Sequence, residues 1–96
     1  MVIKLVEVCK AMGIGTSENY ALKEVFINPE HVVCLRSDDL TRQRLHENKL
    51  PEELDKRQEF TRIQLNRGHN GLDLVVVGAP ALVEQKLKKP QQVLHG

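Results

Sequence analysis

Phe60-Thr61-Arg62-Ile63-Gln64-Leu65-Asn66 alternates without a break: Thr61, Ile63 and Leu65 point one way, Arg62, Gln64 and Asn66 the other. A period of two marks a half-buried strand with one dry and one wet face. Gly68-His69-Asn70-Gly71 follows, and its glycines supply the positive φ that a hairpin loop needs. Leu72 to Val77 reads as the return strand, with Leu72, Leu74 and Val76 opposite Val75 and Val77. A strand apolar on both sides is central or is covered on its second face. Gly78-Ala79-Pro80 then starts a helix, with Pro80 near its first position. Ala79, Val83 and Leu87 form one stripe with Leu82 beside it, a natural cover for that second face. Lys86, Lys88 and Lys89 fall at the expected helix end, where cations suit the dipole. Pro90 is expected to end the helix, leaving 91–96 as a flexible tail.

Toward the amino terminus, β-branched residues mark a first strand from Val2 to Val8. Lys10 to Asn19 reads as a loop, and Tyr20 to Ile27 as the second strand. Asn28-Pro29-Glu30 is a turn because proline presets φ there. His31 to Arg36 is the third strand. The segment 37–59 has a different composition, with 7 acidic and 5 basic residues among 23. Ser37-Asp38-Asp39 suits a helix start, and Pro51-Glu52-Glu53 suits the start of a second short helix. Leu40 and Leu45 give the first of these only a thin apolar stripe. The expectation is an α+β domain over 1–90: a small, twisted, barrel-like antiparallel sheet of about five strands with a C-terminal helix. A charged helical insertion over 37–59 separates strands 3 and 4.

A length of 96 residues accommodates one domain. Lys and Arg total 14 against 13 Asp and Glu, so the net charge of +1 gives no default attraction to nucleic acid or an anionic membrane. Hydrophobic residues at 41% and charged residues at 28% describe a folded, soluble domain. The aromatics are Tyr20, Phe26 and Phe60, so the core rests on Val, Leu and Ile. No run approaches the roughly 20 apolar residues of a membrane span. Met1-Val2-Ile3-Lys4-Leu5 lacks the pattern of a secretory signal, so a cytoplasmic protein with no membrane partner is expected. Cys9 and Cys34 lie outside any C-x-x-C motif and are expected to be reduced.

No nucleophile–base pair, no metal-ligand set and no cofactor fingerprint can be assembled from adjacent elements. His31 and Cys34, three apart in a strand, point to opposite faces. Gly13, Gly15 and Thr16 form the nearest thing to an anion loop, but the Walker lysine and spacing are missing. Such a loop would suit a small-molecule sponge at an oligomer interface. Arg62 and Arg67, with the insertion arginines, would make a nucleic-acid patch if those surfaces adjoin. No aromatic interleaving adds base stacking to it.

Val25-Phe26-Ile27-Asn28-Pro29-Glu30-His31-Val32, then Thr61-Arg62-Ile63-Gln64-Leu65, a glycine hairpin and Val75-Val76-Val77-Gly78-Ala79-Pro80 form an ordered set. With Val83 and Leu87 in the last helix, this order resembles the small flagellar FlbD/SwrD family and related short phage and bacterial proteins. The resemblance covers about Lys23 to Leu87, interrupted by the insertion. It implies a fold without a catalytic site and an accessory role in a bacterium or phage. The longer first loop and the insertion depart from that family's pattern. A charged module inserted in a minimal scaffold is where a new partner site arises most easily. The expected function is therefore regulatory protein binding through Arg42, Arg44, Leu45, His46 and Lys49. Homo-oligomerisation is expected as well, since a small sheet exposes edges and a valine-rich surface.

Overall fold

The computed structural model describes residues 2–11, 19–67 and 70–93. Its elements are β1 (Ile3–Ala11), β2 (Asn19–Ile27), a 3-10 turn (Pro29–His31), β3 (Val32–Ser37), α1 (Asp39–His46), β4 (Phe60–Arg67), β5 (Asn70–Val77) and α2 (Pro80–Val93). The five strands form one antiparallel sheet in the order β2-β1-β5-β4-β3.

Two units make up this sheet. β1 and β2 form a long hairpin, from Ile3 opposite Ile27 to Ala11 opposite Asn19. β3, β4 and β5 form a meander, from Phe60 opposite Val77 to Arg67 opposite Asn70 in its central ladder. The two units share one ladder position, Glu7 opposite Val76. The sheet is open, with β2 and β3 at its edges, and so departs from the barrel-like closure expected. Closure needs a β2–β3 ladder, and the chain between them instead turns through Pro29–His31, where Asn28 Oδ1 accepts from the Glu30 amide at 3.0 Å. That short link joins opposite edges, so the sheet must curl strongly for its ends to meet.

The alternation in β4 is realised. Ile63 and Thr61 are fully buried, Leu65 is half-buried, and Gln64 and Asn66 are exposed. Leu5 and Ile27 from the hairpin meet Ile63 and Val76 from the meander, and Val83 of α2 completes this core. A second core lies on the other face of β5, where Leu45, Leu50 and Phe60 pack with Val75 and Val77. Val8 and Tyr20 reach it from the hairpin.

The covering of β5 therefore differs from expectation. α2 lies on the Val76 side, while the insertion covers Val75 and Val77. Gly78 directs the chain there with φ of 124°, in the left-handed region where a side chain is strained. Its amide donates to Glu59 O at 2.8 Å, and its carbonyl accepts from Thr61 Oγ1 at 2.8 Å. Two further expectations are corrected. Pro51-Glu52-Glu53 starts no second helix, because the chain turns there instead, with the Leu54 amide donating to Pro51 O at 3.2 Å. Leu50 and Leu54 are drawn down onto the second core rather than onto a helical stripe. α2 also runs past Pro90 to Val93, taking in part of the expected tail. A proline there removes one backbone hydrogen bond, while its fixed φ remains helical.

Candidate functional site

The insertion is bound to the sheet along its length. At the start of α1, the Asp38 amide donates to Phe60 O at 2.9 Å. The Asp38 side chain is buried and caps no backbone amide. It accepts from Thr41 Oγ1 and from Arg62 Nη2, the latter at 3.4 Å. A buried carboxylate held by a hydroxyl and a guanidinium fixes where the helix leaves the sheet. One turn later Leu45, at 2% exposure, enters the second core.

The end of α1 is held equally well. The chain reverses at Asn48, whose φ is 62°, and the Lys49 amide donates to Arg44 O at 3.0 Å. Lys56 donates to Leu45 O at 3.0 Å and also to Asn48 Oδ1, bringing a cation to the negative end of the helix. The Arg44 guanidinium lies 5.0 Å from the centre of the Tyr20 ring, a cation–π contact joining α1 to the hairpin. Farther along, Arg57 pairs with Asp55 at 3.1 Å, and its hydrogen bonds hold the Asp55 carboxyl below the ordinary carboxylate range.

These anchors sort the residues expected to bind a partner. Arg42, His46 and Lys49 are exposed. Lys49 is paired with Glu47 at 3.3 Å. The side chains of Arg42 and His46 have no partner among the described residues, and their i, i+4 spacing makes them neighbours on the helix surface. Leu40 adds an exposed apolar group on the same helix. Arg44 is half-buried against Tyr20. Leu45 is corrected from contact residue to core residue, because α1 has a single inward stripe and Leu45 is its main apolar side chain.

The other expected sites fare differently. Arg62 is balanced by carboxylates on both sides, with Asp38 at 3.4 Å and Asp73 at 3.6 Å. Arg36 stands opposite it in the β3–β4 ladder. Carboxylates are thus interleaved with the arginines on the wet face of the meander. The side chain of Arg67 lies outside the described residues, as do Gly13, Gly15 and Thr16.

Both cysteines are free. Cys34 Sγ donates to Gln64 Oε1 at 3.2 Å, and burial, then Glu7, pushes the Cys9 thiol up. No group of three or more His, Cys, Asp or Glu among the described residues is arranged to hold a metal ion. No helix among them is long and apolar enough to cross a membrane.

One feature escaped the strand-by-strand reading. An open groove of about 840 Å³ runs between the hairpin and the meander, on the side of the sheet away from α1. Val25, Ile27, Leu65 and Leu74 line it, and Val2, Phe26 and Leu72 stand exposed around it. Parity in β2 carries the signal: if Val25 and Ile27 face inward, Phe26 must face outward. Compared with family models, curated proteins and solved structures, the chain has no match to any.

Proposed function

We propose that this protein is a small, non-enzymatic accessory or regulatory factor that binds another protein through the outer face of α1 and the turn after it. Arg42 and His46 are the central contacts, with Lys49 and Leu40 beside them. The observation that carries this reading is the division of labour within the insertion. Its apolar residues Leu45 and Leu50 are spent inward, while Arg42 and His46 face outward with no partner among the described residues. A rigidly mounted helix loses little conformational freedom on binding, which favours affinity. The strand motifs that resemble the flagellar accessory family, and the implied cytoplasmic setting in a bacterium or phage, agree with such a role.

The test places a photo-crosslinking residue at position 42 or 46, with position 66 on exposed β4 as control. Irradiation in cells should give a discrete protein adduct from 42 and 46 and none from 66. Arg42→Glu should weaken capture at 46 by about 10-fold or more, with the melting temperature unchanged. No adduct, or the same adducts from all positions, overturns the proposal. Adducts made only with nucleic acid would transfer the site to an arginine-based RNA or DNA reading.

A further inference from the structure

We infer that the groove between the hairpin and the meander binds an amphipathic organic cation, a protonated amine on an apolar body, with the Glu7 carboxylate as its counter-ion. The seam where the two units share a ladder position sets the geometry. Glu7 lies opposite Val76 there, so its side chain shares the face of Leu5, Val25 and Val76 rather than the face under α1. It is half-buried and lines the groove, whose walls are Val25, Ile27, Leu65, Leu72 and Leu74. A volume of about 840 Å³ falls within the roughly 300–1,000 Å³ of small-molecule sites, enough for a ring or a short alkyl chain besides the amine.

Charge decides the occupant. Among the described lining residues Glu7 is the one carboxylate, and none is a lysine or arginine. Lys23 stands opposite Glu7 in the β1–β2 ladder, but it is exposed, it is not among those lining residues, and no ion pair joins the two. The Glu7 charge is felt by the Cys9 thiol, two positions along on the same face, which burial and then Glu7 push up. Asn28 and His31, from the link between β2 and β3, are the remaining polar side chains of the lining, and Asn28 Oδ1 is already taken by the Glu30 amide. A carboxylate partly withdrawn from water with no cation beside it favours a positive group over a neutral or negative one. The apolar walls then select a cation that carries hydrocarbon.

This site faces away from α1, so it stands or falls independently of the partner site proposed above. The probe is phenylbutylamine, with phenylbutanol and phenylbutyrate as its neutral and anionic counterparts. Each is titrated into the isotope-labelled full chain while backbone amide shifts are followed by NMR. A ligand of this size should bind with a dissociation constant on the order of 1 mM. The amine should bind about 10-fold tighter than the alcohol, and the carboxylate most weakly, with the shifts centred on Ile27, Leu65 and Leu74. Glu7→Gln should bring the amine down to the affinity of the alcohol while circular dichroism shows the fold retained. The wild-type comparison of the three compounds decides the matter even if that variant fails to fold. No saturable binding of the amine up to about 10 mM overturns the inference. So do equal affinities for the three compounds, shifts centred on α1, or a folded Glu7→Gln protein that still prefers the amine. Groove shifts that depend on protein concentration alone would give the site to a second copy of the chain and overturn it as well.

Discussion

Truncating Leu45 to alanine tests whether the charged insertion is part of the folded unit or a loosely attached arm. Leu45 is 2% exposed and packs with Leu50 and Phe60 beneath α1. The substitution removes three buried carbons, worth about 2.4 kcal/mol in transfer free energy. An unfilled cavity adds roughly 1 kcal/mol, because Phe60, Val75 and Val77 sit on strands that cannot collapse into it. The expected loss is thus about 3 kcal/mol, or a fall in Tm on the order of 15 °C for a domain of this size. Leu40→Ala on the same helix is the control. Leu40 is 49% exposed, and its truncation should change stability by less than about 0.5 kcal/mol. Urea unfolding followed by circular dichroism measures both. Tyr20, the single tyrosine in a chain without tryptophan, packs against this core and gives a second probe by fluorescence. A Leu45→Ala protein within about 0.5 kcal/mol of wild type would refute the reasoning, since no buried leucine in a unique core is that cheap to lose.

Two further substitutions probe the turn and the thiols. Gly78→Ala should cost about 1–3 kcal/mol in urea unfolding, because φ of 124° strains any side chain. Space is not the cause, since a Cβ there would meet Val83 Cγ2 at an ordinary 3.5 Å, so an unchanged midpoint would mean that the turn is mis-described. At pH 8 an aromatic disulfide reagent should react slowly with Cys9, whose raised pKa leaves less thiolate than an ordinary thiol. Cys9→Ser should remove that slow phase, and loss of a fast phase instead would refute the assignment.

How much of this was legible in the sequence depended on whether a signal was local. The β4 alternation, the two-sided apolarity of β5, the proline turn before β3 and the start of α2 were readable because each is set by neighbours within a few positions. Which cover goes on which face of β5 was not, because that depends on the backbone at Gly78, and a glycine in the sequence does not state its φ. The insertion shows a similar limit. Asp38 and Asp39 announced a helix correctly, but composition alone could not tell that Leu45 faces inward and Arg42 outward. Those orientations follow from Phe60, Val75 and Val77, which belong to strands remote in the chain. The groove was invisible for the same reason, since its walls come from β2, β4 and β5 together.

The single ladder position between Glu7 and Val76 has a consequence for the order in which the molecule assembles. Every other ladder joins strands that follow one another in the chain, so the β1–β2 and β4–β5 hairpins form from local encounters, and β3 joins β4 once the 38–59 segment closes as a loop. Glu7 and Val76 come from opposite ends of the described chain, and bringing them together carries the largest loop-closure entropy of any strand pairing here. Little backbone hydrogen bonding offsets that entropy, so the side chains of Leu5, Ile27, Ile63 and Val76 must supply the drive. The topology therefore predicts that docking of hairpin and meander through an apolar seam, rather than zippering of a continuous sheet, sets the folding rate.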